Sequence, residues 1–298
     1  MMQMGMLSEE EREQLKEMIN SLKQRVPDLP TNMIIGGDPD ATYQRFLLAR
    51  GDVQMAEDML ADTVAWRKKF GIESILSNVL DLGKLKAYYK FLPHTYFGFD
   101  MDTRPIYWAR VGHASWKLLM QRCTNDDLAH FHIVAMEYVN KVLMQEASRM
   151  KGTTQDQAVY ILDMAGFSIF DVFSTPVMDF LKGLVSIFQN HYPEQLAEAV
   201  VINAPASFAA AWALAGLLGI DPVTKAKFRV VSVGATHVAL REMVEEKYIP
   251  EYLAGKGKLA GDFFNFAGEE QLMEAMEKDT ALTAFQRNLI NHTLQISD

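Results

Sequence analysis

Residues 191–227 read HYPEQLAEAVVINAPASFAAAWALAGLLGIDPVTKAK, and the succession of residue types in this stretch decides the fold. At its centre AVVINA (199–204) is a continuous apolar run, as expected of a strand covered on both faces. It is followed by FAAAWALAGLLGI (208–220), apolar nearly all round. A helix of that kind is either buried in a core or meets lipid. Polar chemistry is confined to the two ends, with Glu194 on one side and Thr224 and Lys227 on the other. The stretch therefore predicts an apolar pocket with a polar end and a movable wall. Gly216 and Gly219 give that wall backbone freedom, and the Asp221-Pro222 step fixes its far boundary.

Outward from this stretch, short apolar runs alternate with helical patterns. PIYWARV (105–111), AVYILDM (158–164) and FRVVSV (228–233) read as strands, and Asp126–Met150 and Thr175–Gln189 as helices. Such alternation predicts an α/β domain whose mostly parallel or mixed sheet is joined by right-handed crossovers. The N-terminal part is different. Ser8 and Glu11 form a capping-box start, and Leu15, Met18 and Leu22 share one face of a helix that runs to about Arg25, before Pro27 and Pro30. Asp40 is the expected N-cap of ATYQRFLLAR (41–50), Gly51 breaks that helix, and another starts near Val53 with Met55, Met59, Val64 and Trp66 at helical spacing. The expected organisation is a helical module over 8–72, an α/β domain over 73–262 and a helical tail over 263–298. Arg50-Gly51-Asp52 spells an adhesion tripeptide, but a helix break is a poor place to present one.

Composition narrows the function. Of 298 residues, 49% are hydrophobic and 22% charged, which suits a large core. A net charge of -9 argues against extended nucleic-acid contacts. Cys123 is the single cysteine, so neither an internal disulfide nor a thiolate metal cage is available, and a cytoplasmic setting is expected. No run approaches the roughly 20 apolar residues of a membrane span. Eighteen methionines fill a core readily and also suit surfaces that accept variable apolar partners.

The search for catalytic motifs returns nothing. No G-x-G-x-x-G follows a strand, and neither a phosphate-binding G-x-x-x-x-G-K-[ST] nor a nucleophile-elbow G-x-S-x-G occurs. Ser168 in AGFSIF comes nearest to a nucleophile, with Phe170 where the second glycine would stand. His130 and His132 are two apart, so on a helix they face differently and make a poor metal pair. His191 reads as a packed residue. A non-enzymatic binding function is expected, with no metal.

Several motifs in order resemble the CRAL-TRIO family of lipid-binding and lipid-transfer proteins, in its fungal and plant phosphatidylinositol-transfer branch. RFLLARGDVQMAEDML with WRKKFG resembles the family's N-terminal helices. DMDTRPIYWARVG is similar to its D-x-x-G-R-P-V strand, with Thr103 where glycine is usual, and VYILDMAGFSI to its I-x-D-x-x-G-x-S turn. HYPEQLAEAVVINAPASF resembles its Y-P-E…I-N-A-P block, and DPVTKAKFRVV its D-P-x-T-x-x-K-I strand. The resemblance covers roughly residues 8–260.

What the resemblance implies is a deep apolar pocket floored by the sheet and closed by a gating helix, here Phe208 to Ile220 with Phe208, Trp212, Leu214, Leu217, Leu218 and Ile220. The positions that match its phosphatidylinositol head-group site are Arg50, Glu194, Thr224 and Lys227, with Thr224 and Lys227 at the start of a strand and Arg50 paired with Glu194 or orienting it. Tyr107, Tyr138 and Ser168 match positions for a choline head group, where aromatic faces suit a quaternary ammonium. Phe170 replaces a second hydroxyl there, which leaves the second lipid open. The implied ligand is a bound phospholipid, with no other cofactor. The implied partners are a transiently visited membrane surface and a phosphoinositide kinase, for a cytoplasmic monomer. Two other readings stay open: a carrier of a non-phospholipid hydrophobe (retinoid, tocopherol, sterol or haem), and a regulatory module that presents lipid without transferring it.

Overall fold

Side chains alternate along the central strands, and that alternation sorts the molecule into layers. In the computed structural model, which describes residues 8–77, 81–168, 170, 174–205, 208, 212 and 218–257, the described strands form one mixed sheet. They are β1 His94–Phe99, β2 Pro105–Ala109, β3 Ala158–Asp163, β4 Leu196–Ile202 and β5 Phe228–Val230. Their order in space is their order in the chain, with β1 antiparallel to β2 and every later pairing parallel.

One face of the sheet carries Ile106, Trp108, Val159, Ile161, Val200 and Ile202, sealed by Val231, Ala239, Leu240, Val244 and Ile249. The other carries Tyr107, Ala109, Tyr160 and Leu162. Period-two geometry makes these two sets mutually exclusive. The registers Tyr107↔Tyr160, Tyr160↔Ala199 and Ala199↔Phe228 set one row of the inner face across four strands.

The helices follow from local capping. Helices α1 Glu9–Arg25, α2 Pro39–Arg50 and α3 Val53–Phe70 share a core of Leu22, Phe46, Leu47, Ala56 and Leu60. The capping box of Ser8 and Glu11 is present. Gly51 ends α2 at φ 71, and the Asp52 carboxylate caps α3 by accepting from the Met55 N–H at 2.9 Å, so the Arg50-Gly51-Asp52 tripeptide is a helix stop followed by a helix start. Then come α4 Leu82–Phe91, α5 Trp116–Arg122, α6 Asn125–Tyr138, α7 Met144–Lys151, α8 Thr175–His191, α9 Pro222–Ala226 and α10 Thr236–Arg241.

The sequence-based expectation differs in four places. The N-cap of α2 is Asp38, not Asp40. Pro39 takes the first helical position, where its missing N–H costs nothing, and the Asp38 carboxylate accepts from the N–H groups of Asp40 and Ala41 at 2.9 and 3.4 Å. The helix expected over Asp126–Met150 contains a π-turn at Val139–Leu143 that separates α6 from α7. Neither β1 nor α4 was expected, because Gly98 and the polar His94 and Thr95 obscure strand patterning in HTYFGF. The last strand stops at Val230, which is 48% exposed, so this outer strand lacks the covering on both faces that its apolar run predicts. The expected tail over 263–298 lies outside the described residues.

Candidate functional site

The inner sheet face does not meet α8 closely, and an apolar cavity of about 280 Å³ lies between them. Tyr107, Ala109, Leu162, Val201 and Phe228 line it from the strands, and Leu181, Leu184 and Val185 from α8. α8 can serve as this wall because its apolar residues recur every third or fourth position along TPVMDFLKGLVSIFQNH. Of the residues expected in a movable wall, Phe208, Trp212, Leu218 and Ile220 line the same cavity; Leu214, Leu217 and Gly216 lie outside the described residues. Trp212 stacks on Phe208 at 6.0 Å between ring centroids, tilts against Phe228 at 4.6 Å, and lies 5.8 Å beneath the Lys225 ammonium. Gly219 has φ +77, a backbone that only glycine adopts without strain.

His132 also faces this cavity, hydrogen-bonded through Nδ1 to the Tyr88 hydroxyl at 2.8 Å. Burial, with His94 nearby, pushes its pKa down to about 3, so the ring is neutral and suits an apolar lining. Tyr107 is pushed well above the ordinary tyrosine range, chiefly by burial, and stays a neutral phenol.

A second cavity of about 390 Å³ opens beside the first. Arg50, Glu194, Thr224 and Lys227, drawn from α2, the turn before β4, α9 and the residue before β5, all line it. The two cavities share Leu162, Val185, Ile220 and Phe228 as lining, so the apolar and polar compartments adjoin. The Lys227 Nζ donates to Glu194 Oε2 at 3.1 Å, and these side chains are only 9% and 11% exposed. Arg50 does not pair with Glu194 as expected: the carboxylate is taken by Lys227, and the described bond of Arg50 is a long 3.5 Å contact to the Ala49 carbonyl. Nor does Thr224 start a strand. It sits in the short helix α9, with its N–H and hydroxyl donating to the Asp221 carboxylate at 2.8 and 2.6 Å. Burial acts to raise the pKa of Asp221, but these two bonds, the Val223 N–H and the Lys227 charge outweigh it and hold the carboxyl below its usual range.

Three contributors to the polar end escape sequence reasoning. Gln189 at the end of α8 donates to the Gly219 carbonyl at 3.1 Å and accepts from the Asp221 N–H at 2.9 Å, which clamps the turn that leads into α9. Asp221 enters the sequence reading only through the Asp221-Pro222 boundary and the DPVTKAKFRVV motif, with no role at the site. Tyr192 is buried, and its hydroxyl donates to Glu137 Oε1 at 2.7 Å. Glu137 in turn holds Arg67 by two bonds of 2.9 Å each. His191 is packed, as expected: it stacks on Trp66 at 4.2 Å and 8°, and burial pushes its pKa down to about 4.

Of the three residues expected at a choline head group, Tyr107 and Tyr138 share one core cluster. Tyr107 also lines the apolar cavity, whereas Tyr138 and Ser168, which follows β3, line neither of the described cavities. Among the described residues no group of His, Cys, Asp and Glu could hold a metal ion, and no helix is long and apolar enough to cross a membrane.

Comparison with known proteins gives a consistent result. The CRAL/TRIO domain profile matches residues 91–255. The SEC14 cytosolic factor of Candida glabrata is 28% identical over 222 residues, 74% of this chain and 72% of that protein. Its namesake in Schizosaccharomyces pombe is 30% identical over 224 residues, 74% of this chain and 76% of that protein. The phosphatidylinositol/phosphatidylcholine transfer protein SFH12 of Arabidopsis thaliana is 29% identical over 212 residues, which cover 71% of this chain. The chain spans 30% to 38% of the length of its plant and nematode relatives. The crystal structure of Sfh5 superposes with a TM-score of 0.62 at 18% identity, covering 89% of this chain and 96% of that one, and has the same fold.

Proposed function

The chain belongs to the CRAL/TRIO domain family, and from that premise we propose that it binds a phosphatidylinositol-type phospholipid and exchanges it between membranes. The observation that carries the reading is that the two cavities adjoin across Leu162, Val185, Ile220 and Phe228, one compartment apolar and the other ending in Glu194, Thr224 and Lys227. An amphiphile needs that pairing, with its chains against the sheet and its head group among charges and hydroxyls. Lys227 meets a phosphate as a point charge, Thr224 adds a hydroxyl, and Glu194 accepts from inositol hydroxyls. Arg50 supplies a second cation at the rim.

Transfer follows from the cost of exposing lipid chains. Each methylene moved into water costs about 0.8 kcal/mol, so a lipid with about 30 of them is held back by on the order of 20 kcal/mol. A carrier lowers this by passing chains from one apolar medium to another, which requires the cavity to open at a bilayer. In this reading the segment from Phe208 to Ile220 is the gate, and Trp212 between Phe208 and Phe228 holds it closed. In this reading a second lipid exchanges through the same pocket, and Tyr107 lines the apolar compartment that it enters.

Native mass spectrometry of the purified protein tests the assignment. A co-purifying phosphatidylinositol mass is the expected result. A retinoid, sterol or tocopherol mass in its place overturns the head-group assignment and leaves a carrier of another hydrophobe. A protein that stays empty in the presence of phosphatidylinositol vesicles overturns both.

A further inference from the structure

Glu194, the carboxylate at the centre of the polar cavity, has a backbone that its residue type does not favour. Its φ is 61, in the left-handed region that glycine and asparagine tolerate and glutamate does not. Something in the surroundings must over-determine it. Two residues earlier, the Tyr192 hydroxyl donates to Glu137 Oε1 at 2.7 Å in a fully buried position. Glu137 is fixed by a bidentate pair with Arg67, and Arg67 is held from behind by Asn32, whose Oδ1 and carbonyl each accept at 3.1 Å. Pro193 lies between Tyr192 and Glu194 and has a locked φ, so a restraint on Tyr192 passes to Glu194 with little slack. On the other side, the Gln157 Nε2 donates to the Glu194 carbonyl at 3.1 Å. The end of α8 is braced as well, by the Thr63 hydroxyl donating to the Asn190 carbonyl at 3.1 Å.

We propose that Tyr192 is a positioning residue for the polar cavity: anchored on the buried Glu137–Arg67 pair, it imposes the left-handed turn that aims Glu194 at Lys227. Tyr192 lines the cavity wall, but its polar atom faces away into the protein, toward Glu137. The helical module thereby contributes to head-group selection through Arg67, which lines neither cavity. This inference rests on the head-group reading above for its consequence in ligand selection, but not for its structural content.

Tyr192→Phe keeps the ring and removes only the hydroxyl. Three measurements test it: the ¹³Cα and ¹³Cβ shifts of Glu194, retention of phosphatidylinositol, and loading of an uncharged fluorescent hydrophobe. The expected result is that the Glu194 shifts leave left-handed values and phosphatidylinositol retention falls about tenfold, the loss of one charge-assisted hydrogen bond. Hydrophobe loading stays unchanged. The double variant Tyr192→Phe/Glu194→Gln loses no more phosphatidylinositol than Glu194→Gln alone, because both act through one carboxylate. Gln157→Leu, which frees the Glu194 carbonyl, gives the same pattern if the first variant is poorly folded. Unchanged Glu194 shifts, additive losses, or parallel loss of both ligands overturns the proposal. If wild type retains no phosphatidylinositol but the Glu194 shifts still move, the positioning stands and the head-group reading falls.

Discussion

Two buried ion pairs, Arg67–Glu137 and Lys227–Glu194, differ in how far their hydrogen-bonding capacity is filled. Arg67 and Glu137 are nearly filled: the guanidinium bonds both carboxylate oxygens and both acceptors of Asn32, and Tyr192 takes a further site on Glu137. Lys227 and Glu194 are not. Among the described residues one bond of 3.1 Å joins their side chains, which leaves ammonium protons and carboxylate lone pairs directed into a cavity. A charge pair can be closed on itself for structure or left open for a ligand, and this molecule does both. The closed pair ties α3 to α6; the open one faces the space where a head group would sit.

The comparison breaks first at the closed pair. Glu137→Ala leaves Arg67 as a buried, uncompensated cation and is expected to cost about 3–5 kcal/mol. For a chain of this size that lowers the midpoint of a thermal melt by roughly 10 °C. A shift under a few degrees would mean that water reaches Arg67 and the pair is not closed. The next effect is a pH dependence. Burial holds His94, His132 and His191 down to about 4, 3 and 4. The unfolded chain therefore binds protons on these rings that the folded chain refuses. Stability is full above the ordinary histidine pKa of about 6.5 and is lost as pH falls toward 4. Melting curves between pH 7.5 and 4.5 should show a steady fall, whereas a flat profile down to pH 5 contradicts the burial of these rings.

The smallest effect sharpens the open side. Asp221→Ala removes the cap of α9 and releases the Thr224 hydroxyl, at about 1 kcal/mol of stability. The carboxyl of Asp221 is held low, so its stabilising contribution is present above the usual carboxylate range and is lost as pH falls through the depressed value. Asp221→Asn removes that acid-range loss while keeping some capping, and titration melts below pH 4.5 compare the two variants.

How much of this was legible in the sequence depends on how local each signal is. The continuous runs at 158–164 and 199–204 announce β3 and β4, because strands buried on both faces leave no choice of residue. The π-turn at Val139–Leu143 leaves no such mark, since VNKVL continues the helical residue types with no Gly or Pro to signal a break. Lys227 and Glu194 are 33 residues apart, and only the family resemblance joins them in advance. Arg67 and Glu137, 70 residues apart, carry no sequence signal as a pair. The Tyr192 hydroxyl is read locally as part of the HYPE block, yet its bond goes into the interior. The resemblance has Arg50 pair with Glu194 or orient it; Arg50 lines the same cavity, while the bond to Glu194 comes from Lys227, and sequence alone does not say which of two nearby cations takes a carboxylate.

The most direct test of the central claim, that the open pair selects the ligand, is phosphatidylinositol transfer by Lys227→Ala between donor and acceptor vesicles, with a thermal melt of the same preparation. Because Glu194 borders a cavity, its unpaired carboxylate is expected to cost no more than about 1–3 kcal/mol, so the protein stays folded at 25 °C. The account predicts that this folded variant loses phosphatidylinositol transfer by at least tenfold while still loading an uncharged hydrophobe. Transfer at the wild-type rate by a folded Lys227→Ala protein would contradict it.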